Sequence, residues 1–521
     1  MTESIENRGA PVRDFLSRSY RWLKGTTAKP SYALTNALFL RALGVIYVIA
    51  FASLAVQMLG LYGSQGILPI SDFIARQQPF DLASVWLTPT LFWLNTSDLF
   101  IQIVPIVGAL LGILLIAGIT HRAILISLFV LYLSLVVVGQ DFLSFQWDYL
   151  LLEVGFIAIF LRDSNLIVWL YRWLLFRLMF VSGVVKLLSG DPNWRNLTAL
   201  DYHFMTQPLP NIVGWYVYHL PSVVHQFMVA ATFFIELVVP FFIFAPRRLR
   251  FIAAALMVVL HLQIFLTGNY NFFNLLTIAL CILLLDDITL RAHLPARVLA
   301  LIEPRARSPL RLMYGIANAV AVVLFVLSGF QLFALFGFPT PGVVEIAAEL
   351  IAPLRVVNTY GPFAVMTTTR PEIVIEGSND GQNWVEYEFK YKPGDVRRPP
   401  PWVEPHQPRL DWQMWFAALG VGTSDPRALL PELRTNPALM FYLESQGVNA
   451  WFVNFLVRLL QGSPQVLGLM EKNPFPTAPP RYVRARLYDY RFTDLNAPFT
   501  TGEWWARDLR GTYFPQLSLG Q

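Results

Sequence analysis

Long apolar runs separated by short polar joints fill roughly the first two thirds of the chain, and a mixed pattern follows. A helix needs about 20 apolar residues to cross the hydrocarbon core of a bilayer. Runs of that order occupy 36–60, 100–119, 122–140, 144–162, 165–188, 226–245, 250–267, 269–286 and 312–337, which predicts about nine transmembrane helices. The stretch 142–188 is the least regular, because Asp148, Glu153, Arg172, Arg177 and Lys186 interrupt it. Beyond about 340 the period changes. Val385, Tyr387, Phe389 and Tyr391 alternate with Glu386, Glu388 and Lys390, as in a half-buried strand. "SNDG" (378–381) supplies the positive-φ residues of a hairpin before it, and "YVRARLYDYRF" (482–492) is a further strand able to join the same sheet.

The expected fold is therefore a polytopic α-helical membrane domain followed by an extramembrane, β-sandwich-like domain with inserted helices near 411–420 and 437–461. Three segments follow: 1–35, 36–337 and 338–521. In the first, Phe15, Leu16, Trp22 and Leu23 recur at helical spacing among basic residues, predicting an interfacial helix over 11–25. The aromatic, Pro-broken segment 197–222 is too polar to span and is expected at the outer interface.

Composition supports the membrane reading. Of 521 residues 55% are hydrophobic and only 14% charged, with a mean hydropathy of +0.49, whereas soluble proteins carry about 25% charge. The net charge is +5, but the basic residues sit in joints between apolar runs rather than on one soluble face, which argues against a nucleic-acid partner. Their distribution orients the chain. The segment 13–29, the joint 246–250 and the joint 287–311 are rich in Arg and Lys, while 61–99, 141–143, 189–225 and 268–270 are poor in them. The positive-inside rule then puts the N-terminus in the cytoplasm and, after nine crossings, the C-terminal domain outside it. The first apolar run is too long for a signal-peptide core and reads as a retained anchor. Cys281 is the single cysteine and lies in an apolar run, so neither an intrachain disulfide nor a cysteine metal site is expected.

Ionisable groups at membrane depth carry the candidate chemistry, since each is costly unless paired or hydrated. They are Arg41, Glu153, Arg172, Arg177, Lys186, Glu236 and His261. Paired, they hold helices together; lining a cavity, Lys186, Glu153, Glu236 and His261 form a possible catalytic set with Lys186 as base. His203, His219, His225 and His261 lack zinc-type spacing, and no metal or cofactor is expected. "RRPPPWVEPHQPRLDWQMWF" (397–416) offers Arg397, Arg398, Trp402, His406, Arg409, Trp412 and Trp415 as a protein-contact surface. The alternative is a Pro-stiffened loop covering the sheet, with Arg409 paired to Asp411. Asn95 and Asn196 head glycosylation sequons. In "GNYNFFN", Gly268, Asn269, Asn271 and Asn274 mark a tight outer turn, with Asn269 or Asn271 expected to cap the following helix and Asn274 to hydrogen-bond across to a neighbour.

Three stretches, "TGNYNFFNLLT" (267–277), "YGPFAVMTTTRPEIVIEGSNDGQNWVEYEFKYKPGD" (360–395) and "RRPPPWVEPHQPRLDWQMWFAAL" (397–419), closely resemble the lipase maturation factor family. The resemblance implies a multi-pass protein whose characterised animal members sit in the endoplasmic reticulum membrane. They assist the folding and assembly of secreted dimeric lipases, with the large C-terminal domain in the lumen. Those members have several cysteines and this chain has one, so no redox role carries over; a bacterial inner-membrane protein facing the periplasm is expected instead. "VSGVVKLLSGDPNW" (181–194) is similar to a vitamin K-dependent carboxylase-like transmembrane segment, in which a Lys serves as base. The carboxylase pattern also needs an earlier His, and 142–156 contains Trp147 and Asp148 but no His. A shared fold without that reaction is the expectation. "IEGSNDGQNW" (375–384) resembles a hairpin of galactose-binding-like sandwiches. Two functions remain open: a folding factor that binds a lipase-like client through its outer domain, or a membrane enzyme or carrier for a lipophilic substrate near Lys186. Membrane lipid is a partner in both.

Overall fold

A computed structural model of the chain describes residues 23, 25, 31–304, 310–422, 425–434, 436–437, 440, 443 and 447–519. The expected interfacial helix over 11–25 lies outside them, apart from Leu23 and Gly25. Each apolar run contains a helix: α1 (Ala33–Ala55), α2 (Asp98–Ile116), α3 (Arg122–Val138), α4 (Gln146–Ala158), α5 (Asn165–Leu188), α6 (Ser222–Phe233), α7 (Arg247–Thr267), α8 (Phe273–Ile282) and α9 (Arg311–Ala334). Among the described residues six helices are long and apolar enough to cross a membrane, the fourth being Ser222–Phe244, in which α6 runs on through a π-helical and a 3-10 turn. A seventh results if α8 is joined to Asp287–His293 across a 102° bend. The helices α3, α4 and α8 are shorter, at 17, 13 and 10 residues.

The centre of the bundle is α5, which is buried along most of its length. Close packing of α1 on α2 depends on small residues, as expected where lipid supplies no hydrophobic drive between helices. A Cβ at Gly112 would lie 2.9 Å from Val48 and 3.1 Å from the Gly44 carbonyl. One at Gly108 would meet the Phe51 ring at 2.5 Å.

In the C-terminal half, β1 (Arg370–Ser378), β2 (Val385–Glu386), β5 (Tyr482–Phe492) and β6 (Trp505–Leu517) form an antiparallel sheet in the order β2-β1-β5-β6, while β3 (Glu388–Phe389) and β4 (Met470–Lys472) form a separate pair. Ile373 lies opposite Leu487 and Ile375 opposite Ala485. At Tyr387 the expected single strand divides. Its N–H still reaches the Ile375 carbonyl at 2.9 Å, after which the chain leaves β1 to pair with β4. The preceding turn is held by Asp380, whose carboxylate accepts from the N–H groups of Gln382 and Asn383, both at 2.8 Å. These bonds hold the Asp380 carboxyl below the usual carboxylate range. The inserted helices are α10 (Gly342–Ile351), before the sheet, and α11 (Arg409–Ala418) and α12 (Ala450–Leu460), within it.

The two halves share one continuous apolar core, with Tyr47, Leu151 and Leu276 in the same cluster as Ile375, Trp412 and Trp451. Hydrogen bonds and ion pairs close the seam. Arg409, at the start of α11, grips Asp148 of α4 with two bonds of 2.6 and 2.8 Å and reaches the Phe142 carbonyl at 3.0 Å. Tyr132 donates to the same carboxylate at 2.6 Å. The expected Arg409–Asp411 pair does not form; Asp411 instead accepts from the N–H groups of Tyr391 and Lys392 at 2.8 and 2.9 Å. The segment 197–222 folds into short helices that serve as a platform for the sheet. Arg370 donates to the carbonyls of Met205, Gln207 and Pro208 while pairing with Glu372, which also binds Lys392 at 2.9 Å.

The asparagine turn is part of this seam. Asn269 accepts from Val403 N–H at 2.8 Å and donates to the Pro401 carbonyl at 3.0 Å. Asn271, in the left-handed region at φ 54°, donates to Gln407 and accepts from Phe273 N–H at 3.0 Å just ahead of α8, whose N-cap is Phe272. Tyr270 N–H donates to Glu404, whose carboxyl is pushed up to about 9 by burial.

Removing Arg409 leaves the Asp148 carboxylate buried and unpaired, a change that costs about 3–5 kcal/mol. Arg409→Met is expected to lower the thermal midpoint of the detergent-solubilised protein sharply. Asp148→Asn added to it should recover part of the loss, and equal midpoints for all three proteins would contradict this role.

Candidate functional site

A cavity of about 510 Å³ opens between the helical bundle and the C-terminal half, within the range of small-molecule sites. Its wall is largely aromatic and apolar, with Trp194, Phe363, Trp412 and Trp415 prominent. Among the described residues, Lys186 and Glu236 are the only charged ones in the lining, and they face each other. The Lys186 ammonium donates to both Glu236 carboxylate oxygens at 3.0 and 2.8 Å and to the Ser182 carbonyl at 2.9 Å. It also lies 5.2 Å from the centre of the Trp194 ring, a cation–π distance.

Local sequence places both groups. Lys186 belongs to the last turn of α5, with Ser182 one turn earlier. Glu236 sits in the π-helical turn Phe234–Val238, a widening that recurs at functional sites. The side chains are only 4% and 8% exposed. The pair is thus nearly dry, on the edge of a larger apolar space.

The polar side of the cavity has a fixed hydrogen-bond order. Tyr270 Oη donates to Gln207 Oε1 at 2.9 Å, because Gln207 Nε2 is committed to the Phe204 and Thr267 carbonyls. Tyr270 Oη therefore accepts from His203 Nε2 at 3.2 Å. Burial, with the Lys186 charge adding to it, pushes the His203 imidazole down to about 4, so it is neutral.

The other residues singled out in the sequence lie elsewhere. Glu153 pairs with Arg177 and accepts from Tyr360 Oη at 2.7 Å and Asn358 Nδ2 at 3.2 Å. Arg177 and Tyr360 border a separate cavity of about 440 Å³. His261 bonds Asn274 at 2.9 Å and Met179 at 3.4 Å, which fastens α7 to α8 and α5. The proposed catalytic foursome is thus divided among three places. The contact loop is divided too. Arg409, Trp412 and Trp415 are buried in the seam and present no outer surface; Arg398 and His406 are half-buried, and Arg397 and Trp402 are exposed. Burial of an aromatic-rich helix against the bundle accounts for the difference. Trp194, Tyr270 and Phe363 lie in stretches singled out for family resemblance, and His203 was weighed only as a zinc ligand, so none was expected to line a cavity. Among the described residues, no three His, Cys, Asp or Glu side chains converge as a metal site would require.

Comparison with known proteins assigns the chain. The model of the lipase maturation factor transmembrane domain matches residues 34–292, and that of the lipase maturation factor C-terminal domain matches 356–435 and 432–515. The chain belongs to the lipase maturation factor family. It is 37% identical to lipase maturation factor 2 of Homo sapiens, covering 94% of this chain and 83% of that protein. To lipase maturation factor 1 of Bos taurus it is 34% identical, covering 97% and 92%. No solved structure matches. The transmembrane-domain match and the six spanning-length helices make this family member a multi-pass membrane protein.

Because His203 is held below its ordinary 6.5, the unfolded chain binds more protons between about pH 6.5 and 4. Its contribution to stability is intact above 6.5 and is lost as pH falls through that window, at up to about 1.4 kcal/mol per pH unit. The thermal midpoint should drop on acidification, and drop less in His203→Gln; parallel pH profiles would contradict the assignment.

Proposed function

We propose that this protein is a membrane-anchored maturation factor that assists the folding and assembly of exported lipases or similar proteins. The observation that carries the reading is similarity over nearly the whole chain to proteins named lipase maturation factors. In this reading 1–35 is cytoplasmic, 36–337 is the transmembrane domain crossing nine times, and 338–521 folds as a sandwich-like body outside the cytoplasm. Two features support it: the basic joints alternate with poor ones, and each apolar run contains a helix. The bacterial inner membrane is the proposed site, with the client met through the C-terminal half. Exposed Arg397 and Trp402 are the members of the 397–416 loop able to touch it.

The cavity favours a second reading, a membrane enzyme or carrier that handles a lipophilic molecule beside Lys186 and Glu236. The two readings separate in one experiment. Deleting the gene should lower secreted lipase activity per unit of lipase protein several-fold; unchanged specific activity overturns the maturation reading. Complementation with a Lys186→Met, Glu236→Gln double variant at wild-type abundance should restore that activity. Failure to restore it would favour the second reading.

A further inference from the structure

The helix α10 has three distinct faces. Val344, Ala347, Ala348 and Ile351 are half-buried against the protein, and Glu345 and Glu349 are exposed. Val343, Ile346 and Leu350 form a third stripe at i, i+3 and i+7, with exposures of 75%, 68% and 63%. An exposed apolar stripe beside an exposed charged face suits a helix lying in a membrane surface, one side in the acyl boundary and the other in water; with an acidic face, apolar burial rather than attraction to anionic headgroups holds it.

The position of α10 agrees with this. It follows α9 directly and packs against it. The helix α9 presents Val323, Phe325 and Val326 outward along its length and Phe333 at its end. Gly337, at φ 81°, then turns the chain as α9 ends, and Phe338, at 61% exposure, continues the apolar surface toward α10. A second segment joins it. Leu82 and Leu87, on the short helix Leu82–Leu87, are 90% and 69% exposed. Trp86 of that helix donates from Nε1 to the Leu350 carbonyl at 3.2 Å. Two segments more than 250 residues apart thereby form one apolar surface, continuous with the lipid-facing side of a spanning helix. Large contiguous patches of this kind mark a partner rather than bare solvent, and an indole at the rim suits the headgroup level.

We propose that α10 and the Leu82–Leu87 segment together form a membrane-surface anchor, seated in the leaflet where α9 emerges, with lipid as its occupant. The proposal rests on α9 spanning the bilayer, whichever side it emerges on. The anchor fixes the height and tilt of the C-terminal half over the membrane at a point separate from the Arg409–Asp148 seam.

Single-cysteine labelling of the full chain tests it, because native Cys281 is buried. A bimane fluorophore is placed at Ile346→Cys, Leu82→Cys, Glu345→Cys and, as a control in mid-α9, Val323→Cys. The proteins are reconstituted in phosphatidylcholine vesicles with or without a phospholipid brominated near the top of its acyl chains. Bimane at 346 and 82 should be quenched about twofold or more by the brominated lipid and little by aqueous iodide, with the reverse at 345. Equal iodide quenching at 346 and 345 would overturn the proposal. So would a signal at 346 shielded from both quenchers, which would identify a protein partner. If 323 is also open to iodide and untouched by a lipid brominated deeper in its chains, α9 does not span and the anchor falls with it. Wild-type-like elution of each labelled protein on size exclusion confirms that the substitutions leave the fold intact.

Discussion

A carboxylate on a short apolar helix has no cheap resting place, and the structure is organised around that fact. Asp148 on α4 is fully buried, and its partner, Arg409, comes from the other half of the molecule. A pair this deep gains little over apolar packing, but it penalises the loss of either member heavily. The same holds for Glu153 with Arg177 and for the Arg370–Glu372–Lys392 cluster. Each pair neutralises a buried charge that would otherwise oppose closure of the apolar surfaces around it. The continuous core forms around positions that these pairs fix.

Asparagine performs the neutral version of the same task. Asn269 and Asn271 bind the 401–407 loop through side-chain amides, which offer donor and acceptor together without a charge to bury. Asn274, the second residue of α8, ties that helix to His261 of α7. What reads in sequence as an odd cluster between two apolar runs is the socket for the C-terminal half. The cavity lies beside this socket, bounded on one side by α5 and α7 and on the other by α11.

Sequence reading reached the elements and fell short on their partners. Apolar run length located the six helices of spanning length among the described residues, because membrane crossing is a local requirement on composition. It overstated length where a run includes the turn at its end: 269–286 contains only the ten-residue α8, since Gly268 to Phe272 belong to the turn and the chain bends again beyond Ile282. The alternation at 385–391 signalled a strand but not its division at Tyr387, which depends on β4 arriving from some eighty residues away. The edge strand β6 was not predicted from its sequence. It contains Pro515, a residue tolerated at an edge because that side needs no ladder donor. Lys186 and Glu236 were both candidates, yet Glu236 sits in a π-helical turn that the apolar run around it does not signal, so their pairing was not foreseen. The Arg409–Asp411 pairing failed because proximity along the chain is a poor guide when a carboxylate of the membrane half is left without a cation.

The distance between Asp148 and Arg409 along the chain, 261 residues, also sets an order of events during synthesis. A ribosome adding about 5–20 residues per second needs on the order of tens of seconds to travel that far. Throughout that interval α4 lacks the cation that pairs with its acid in the finished fold, and the newborn bundle has to keep that acid hydrated or shielded. The bundle can reach its final state only after the chain's last third has been delivered. The order of synthesis is thus built into the fold, since a helix of the first half takes its counter-ion from a segment made much later.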